Sequence, residues 1–223
     1  MIPSYARYCE AVAGRRLPLA YVDLPLLDQN VDALAKRAQG LPVRVASKSI
    51  RCVPLLKRIL RHPGFSGVMC YSAAEAAALV DEGLDDLLVA YPTLDEADLH
   101  SVIERIAGGA RVILMVDDVD QVRRTAALAG SQPIELGLDV DMSLALPGLH
   151  FGVRRSPVTS VAAALRVARA IADQPSLRLS TVMGYEAQIA GVPDARPQQA
   201  FVNRAIRLLK RRSIPRLQAL RGE

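Results

Sequence analysis

One lysine stands where a side-chain amine could act as a nucleophile. The stretch LPVRVASKSIRCVPLL, residues 41–56, reads as a buried strand followed by a helix, and Lys48 lies where the strand should end. Partial desolvation at the mouth of a sheet lowers the pKa of a lysine and frees its amine to attack a carbonyl carbon. The alternative is an ordinary ion pair in which Lys48 reaches a carboxylate such as Asp139. Position alone leaves both interpretations open.

Other polar residues also follow apolar runs at their carboxyl ends. They are Tyr71, Ser72, Tyr91, Pro92, Asp117, Asp139, Asp141, Tyr185 and Glu186. Because ligands bind at the carboxyl ends of parallel strands, this distribution predicts a ligand site at that edge. Asp139 and Asp141 alternate on a strand and could bind a metal, although polar positioning or helix capping is the commoner use. His150 follows a strand through an irregular insert, so it could face the site, but a surface role is the simpler interpretation.

A regular alternation of strands and helices must position these residues. Runs rich in Val, Ile and Leu are typical of strands buried on both faces of a parallel sheet. The predicted strands cover 19–24, 42–48, 67–71, 86–92, 111–117, 133–141 and 177–186. The intervening helices carry apolar stripes, and Ser72 with Glu75 predicts a capping box. This rhythm predicts an α/β fold, either a (β/α) barrel or a doubly wound sheet.

Composition argues against several classes of function. The net charge of +5 is concentrated in residues 203–223, but aromatic residues make up only 4% of the chain. No nucleic-acid partner is expected, because single-strand binding uses aromatic stacking as well as charge. No apolar run approaches the roughly 18 residues of a membrane helix, and no signal peptide is evident, so a cytoplasmic location is expected. Cys9, Cys52 and Cys70 fit reduced thiols and form neither a disulfide frame nor a zinc site.

Three motifs together resemble a known family. They are RVASKSIRC at 44–52, HFGVRRSPV at 150–158 and MGYEAQIAGV at 183–192. They resemble the alanine racemase N-terminal domain superfamily, the type III fold of pyridoxal-phosphate (PLP) enzymes, in its D-threonine aldolase-like and amino-acid deaminase-like branch. The resemblance implies a (β/α) TIM-type barrel and a PLP-dependent lyase acting on D-amino or β-hydroxy amino acids. A racemase, or a PLP-binding protein without turnover, is the alternative.

The resemblance also implies site residues. Lys48 matches the lysine that forms the internal aldimine with PLP, and Tyr185 matches a residue that lies against the pyridine ring in racemases. His150 falls near an arginine of the racemases, and Arg154 or Arg155 would compensate for that substitution. The implied catalytic residues are Lys48, His150 and Tyr185. The implied cofactor-binding residues are Lys48, Arg51, Tyr91, Asp139, Arg154 and Tyr185, with no metal ligands.

The same resemblance implies more chain than this sequence holds. Six barrel strands are predicted between residues 42 and 186, whereas a closed barrel has eight. The expected organisation is therefore a segment with a leading strand over 1–25 and an incomplete PLP-binding barrel over 26–223, without the glycine-rich phosphate loop or the C-terminal β domain, as in a truncated N-terminal part. For the intact protein, the resemblance implies a homodimer, a small amino-acid substrate and a divalent metal bound outside this chain. The exposed sheet edges of an open barrel predict that the chain alone is marginally stable or self-associates.

Overall fold

A computed structural model describes residues 4–222, in which helices and strands alternate. The helices are α1 (Tyr5–Ala11), α2 (Leu24–Arg37), α3 (Ser47–Ile50), α4 (Val53–Ile59), α5 (Ala73–Asp81), α6 (Glu96–Ala107), α7 (Val119–Ala129), α8 (Val161–Ala172), α9 (Ala187–Ala190) and α10 (Ala200–Gly222). The strands are β1 (Val43–Ala46), β2 (Phe65–Cys70), β3 (Leu87–Val89), β4 (Val112–Val116), β5 (Ile134–Val140), β6 (Leu144–Leu146), β7 (Leu149–Phe151) and β8 (Leu177–Gly184). The chain divides into two compact units, with the boundary between Gly67 and Val68. The division at residue 25 stays a prediction.

Six strands form one sheet, in the order β1-β2-β3-β4-β5-β8. The pairs from β2 to β8 are parallel. All five residues of β4 are buried, as expected for a central strand covered on both faces. The prediction of an α/β fold with six barrel-type strands is therefore confirmed. Within residues 4–222 the sheet is open, with β1 and β8 at its two ends, which agrees with the expected incomplete barrel.

The first unit corrects the strand predicted over residues 19–24. Residues 18–23 have no regular secondary structure, and α2 begins at Leu24. Asp23 caps this helix by accepting a hydrogen bond from the backbone nitrogen of Leu26 at 3.0 Å, and Pro25 occupies its first turn. Both residue types favour a helix start. Tyr21 and Val22 are half-exposed, so the apolar letters that suggested a strand have no buried face.

Helix caps in the second unit fix the chain direction just after the strands. Ser72 accepts a hydrogen bond from the nitrogen of Glu75 at 3.2 Å, which confirms the predicted N-cap of α5. The Glu75 carboxylate accepts a hydrogen bond from the backbone nitrogen of Tyr71 at 2.9 Å, and Tyr71 is the residue before the N-cap. Asp95, Asp118 and Ser160 cap α6, α7 and α8 in the same way. These short links hold the residues that follow the strands at one edge of the sheet.

Two short elements lie in segments predicted to be irregular. Strands β6 and β7 form an antiparallel hairpin in which Ala145 faces His150. Its turn contains Pro147 and Gly148, and Gly148 has a φ of +71°, a conformation that favours glycine. Helix α9 is a further short element, shortly after β8. No helix in the described part of the chain is long and apolar enough to cross a membrane.

Candidate functional site

Lys48 lies in the single turn α3, directly after the carboxyl end of β1. The strand ends at Ala46, two residues earlier than predicted. Ser47 takes the buried position and the Lys48 side chain is exposed, so the expected desolvation is not observed. Lys48 forms no ion pair with any residue from 4 to 222, and Asp139 pairs with Arg155 instead. The site therefore presents an unpaired primary amine at a strand end.

Arg51 ends the same turn in an unusual backbone conformation. Its φ of +47° lies in the left-handed region, which costs a residue with a side chain roughly 1 kcal/mol or more. The backbone nitrogen of Arg51 bonds to the carbonyl oxygen of Ser47 at 2.7 Å, and its Nε donates to the carbonyl oxygen of Lys48 at 3.2 Å. These bonds hold an exposed guanidinium on the turn that carries the Lys48 amine.

In the second unit, Asp139 and Arg155 form a buried ion pair at the end of β5. The Nε atom of Arg155 donates to Oδ2 of Asp139 at 2.8 Å, and the two side chains are 12% and 1% exposed. Arg155 Nη2 also donates to the carbonyl oxygen of Ala90, which follows β3. The other carboxylate oxygen, Oδ1 of Asp139, is buried and has no hydrogen-bond partner among the described residues.

A second aspartate holds the backbone around this ion pair. Oδ1 of Asp141 accepts hydrogen bonds from the nitrogen of Ser143 at 2.8 Å and from its hydroxyl, while Oδ2 accepts from the nitrogen of Arg155 at 3.2 Å. The Ser156 hydroxyl donates to the carbonyl oxygen of Asp139 at 2.8 Å. Asp141 therefore has a positioning role, the commoner of the two uses that its sequence position suggested.

Two tyrosine rings flank the Arg155 guanidinium. The Cζ atom of Arg155 lies 4.4 Å from the ring centroid of Tyr91 and 5.7 Å from that of Tyr185, both within the range of cation–π attraction. Tyr91 follows β3 and Tyr185 follows β8, and both rings are about half-exposed. Arg155 thus joins the carboxyl ends of β3, β5 and β8, with aromatic surface left open to a ligand.

Burial controls the protonation of Asp139. Burial raises the pKa of this carboxyl group from its ordinary 3.8 to about 6. The positive charge and hydrogen bond of Arg155 oppose the rise, whereas the negative charges of Asp117 and Asp141 add to it. Asp117 itself is held by Gln121, whose amide donates to its carboxylate at 2.8 Å. The Arg155 guanidinium thus pairs with Asp139, whose pKa is raised by burial and by the charges of two further buried aspartates.

The remaining predicted residues lie apart from these contacts. His150 is on β7, with its Nε2 atom buried and without a hydrogen-bond partner among the described residues. Arg154 is exposed, and its neighbour Arg155 enters the ion pair instead. The sequence predicted that either Arg154 or Arg155 would lie in the site, and it gave no signal that distinguished the two. Gln188 was missed altogether, although it is fully buried and donates to the carbonyl oxygen of Met142 at 2.6 Å. No cluster of three or more metal-ligating side chains occurs in residues 4–222.

Comparison with known proteins adds a family. Residues 22–220 match the family described as "Alanine racemase, N-terminal domain". A 3-hydroxy-D-aspartate aldolase of Paracoccus denitrificans (strain Pd 1222) is 26% identical over 195 residues, covering 86% of this chain and 49% of the aldolase. The chain thus spans about half the length of the curated relatives that it matches.

Solved structures agree on the fold. The D-threonine aldolase of Filomicrobium marinum superposes with a TM-score of 0.70 at 23% identity, covering 92% of this chain and 53% of the aldolase. The D-threo-3-hydroxyaspartate dehydratase of Delftia sp. HT23 gives a TM-score of 0.66 at 21% identity, covering 94% of this chain and 52% of the dehydratase. At such identities the likeness establishes a shared fold.

Proposed function

Because this chain belongs to the alanine racemase N-terminal domain family, we propose that it is part of a PLP-dependent lyase. The proposed substrates are D-amino or β-hydroxy amino acids, and the reaction is either an aldol cleavage or a deamination. The names of the matched aldolases, the D-threonine aldolase and the dehydratase support this substrate class. The proposal extends to a homodimer of the intact protein.

The observation that carries the proposal is the position of Lys48. An exposed amine with no described ion-pair partner lies directly after the carboxyl end of β1, and barrels of this type bind ligands at the carboxyl ends of their strands. An amine in this state can attack an aldehyde, and PLP presents an aldehyde. The residues present therefore fit the reactive end of the cofactor.

Other residues fit the remainder of the cofactor chemically. The half-exposed ring of Tyr185 offers a face for the pyridine ring, and Tyr91 offers a second aromatic surface. The exposed guanidiniums of Arg51 and Arg154 can pair with the anionic groups of the cofactor. These residues and Asp139 remain proposed cofactor contacts, and His150 remains a proposed catalytic residue.

The division of work between cofactor and protein follows from these residue types. When bound, PLP supplies an electron sink for the bond that breaks at Cα of the amino acid. Lys48 would anchor the cofactor by its amine, and Tyr185 would keep the ring in place. The Nε2 atom of His150 has no protein partner among the described residues, so it is free to take or give a proton.

Reductive trapping tests the attachment point. The purified chain is incubated with PLP, reduced with borohydride and digested for mass spectrometry. The sequence has four lysines, Lys36, Lys48, Lys57 and Lys210, so the modified peptide identifies the residue directly. We expect labelling to concentrate on Lys48 and to be lost in Lys48→Ala. The matched control is Lys36→Arg, which changes an exposed lysine on α2 and should keep the label on Lys48.

Substrate assays then define the reaction. D-Threonine should yield glycine and acetaldehyde if the reaction is an aldol cleavage, and D-serine should yield pyruvate if it is a deamination. An unlabelled Lys48 would end the proposal for this chain. A labelled Lys48 without turnover of either amino acid would leave a PLP-binding protein and contradict the lyase.

A further inference from the structure

The contacts around Arg155 contain a charge imbalance that the proposed function does not use. Asp117, Asp139 and Asp141 are all buried, at 8%, 0% and 2% exposure, and the one guanidinium among them belongs to Arg155. Burying unpaired charge is costly, so a cluster of this composition tends to bind a proton or a cation. The raised pKa of Asp139 points to the proton.

Geometry identifies the atom that would accept this proton. Oδ2 of Asp139 is occupied by the 2.8 Å bond from Arg155, whereas Oδ1 is buried and has no partner among the described residues. The carboxylates of Asp117 and Asp141 are already engaged by Gln121 and by Ser143 with the Arg155 backbone. Oδ1 of Asp139 is therefore the open acceptor in this cluster.

The consequences of protonation reach the two tyrosines through Arg155. We propose that Asp139 is a positioning residue: its charged form holds Arg155 between the rings of Tyr91 and Tyr185, and binding of one proton releases that hold. We call these four residues the Arg155 clamp. A proton from solvent adds to Oδ1 of Asp139 while Arg155 keeps its charge, so the ion pair becomes a weaker bond between a neutral acid and a guanidinium.

The clamp gives Asp139 a role in addition to its proposed cofactor contact. Asp139 is fully buried and pairs with Arg155, and the two half-exposed rings lie against the Arg155 guanidinium. Asp139 would thus act on a ligand through the orientation of Tyr91 and Tyr185. The catalytic meaning of the clamp rests on the proposed function, since those tyrosines are proposed cofactor contacts, but the clamp itself is a property of the protein without cofactor.

Tyrosine NMR on the cofactor-free protein tests the clamp. The chain has six tyrosines, so ring carbons labelled with 13C give few resonances, and Tyr91→Phe and Tyr185→Phe assign the two of interest. We expect the Tyr91 and Tyr185 resonances to shift together between pH 5 and 7, with a midpoint near the raised pKa of Asp139, about 6. The resonances of the other four tyrosines serve as internal controls.

Three substitutions separate the clamp from other titrating groups. Asp139→Asn keeps the shape of the side chain and removes the proton-binding group, so the shift with pH should disappear. Asp117→Asn removes a neighbouring negative charge, so the midpoint should move to lower pH while the shift itself remains. His150→Gln is the control for a histidine elsewhere in the second unit, and it should leave the midpoint unchanged.

The outcomes divide cleanly. A wild-type chain without a shift, or Asp139→Asn with the same shift, overturns the clamp. If Asp139→Asn does not fold, Asp117→Asn decides, because an unchanged midpoint also overturns it. Since no cofactor is present, a failure of Lys48 labelling leaves these results unaffected, and a failed clamp leaves the labelling result unaffected.

Discussion

At the scale of single residues, the site depends on which side chains are charged and which are covered. Lys48 is exposed and has no ion-pair partner among the described residues, so its amine is accessible to a ligand. Asp139 shows the opposite arrangement, because burial dominates its chemistry even with Arg155 at 2.8 Å. The first residue can be approached by a ligand directly, whereas the second acts through its neighbours.

Asp139 should make the stability of the fold depend on pH. Its pKa in the folded chain, about 6, is above its ordinary value of 3.8, so folding favours the protonated form. The stabilising contribution is fully present below pH 3.8 and is lost as the pH rises through about 6. At about 1.4 kcal/mol per pKa unit, the loss is on the order of 3 kcal/mol.

Urea unfolding of the wild type and of Asp139→Asn at pH 4 and pH 7 measures this contribution. We expect the free energy of unfolding of the wild type to fall from pH 4 to pH 7, relative to that of Asp139→Asn over the same change. A difference between the two proteins that is equal at both pH values would show that Asp139 titrates as an ordinary exposed aspartate.

At the scale of elements, the parallel strands could be predicted and the short irregular elements could not. The five successive apolar residues of β4 identify a strand that is buried on both faces, and all five are buried in the structure. A continuous apolar run of this kind is typical of a strand in a parallel sheet. Residues 19–22 are also largely apolar, but Asp23 caps a helix that begins at Leu24, and Pro25 lies in its first turn. The β6–β7 hairpin was not predicted, because each of its strands has three residues. The signal for its turn in the sequence was Pro147-Gly148.

The candidate site was predictable to the same degree. Strand ends located Lys48, Tyr91, Asp139 and Tyr185, because position in a parallel sheet is readable from apolar runs. The choice of Arg155 over Arg154 was not readable, since it depends on a tertiary contact with Asp139 across 16 residues of chain. Exposure of Lys48 was also not readable, because the one-turn helix α3 has no periodicity to detect.

The pairing of β5 with β8 depends on a glycine. A Cβ atom at Gly137 would lie 2.9 Å from Cγ2 of Thr181 and 3.0 Å from Cε of Met115. We expect Gly137→Ala to destabilise the fold by roughly 1–3 kcal/mol, the usual cost of overpacking a core. Thermal unfolding measures the loss.

A second substitution provides the control for this glycine. Thr181→Ser removes Cγ2, so the double variant Gly137→Ala with Thr181→Ser should recover part of the lost stability. Additive losses in the double variant would show that contact with Thr181 is not the cause.

At the scale of the whole chain, one sheet edge is open in the described structure. β8 has eight residues and pairs on one side with β5, and Val182 on it is 61% exposed. Long apolar edge strands tend to pair with other chains unless a charge or proline blocks them. The predicted self-association therefore has a defined location on the second unit.

Light scattering after size-exclusion chromatography tests this location. We expect the apparent mass of the wild type to rise with concentration, and Val182→Lys to weaken that rise by placing a charge on the edge. Leu94→Lys is the control, because Leu94 is similarly exposed at 58% but lies outside the strands. A compact monomer at all concentrations would contradict the prediction.

The closed base of the β6–β7 hairpin has a consequence for how this family can diversify. The two chain segments entering and leaving the hairpin are joined by the bond from the Asp141 nitrogen to the Val158 oxygen at 2.9 Å, and by the Asp139–Arg155 ion pair. Lengthening a loop whose ends are already fixed costs little, because closure entropy grows only slowly with length. The turn at Pro147 and Gly148 can therefore vary in length over generations while the anchoring residues stay in register. The hairpin is thus a place where new specificity can evolve without remaking the barrel.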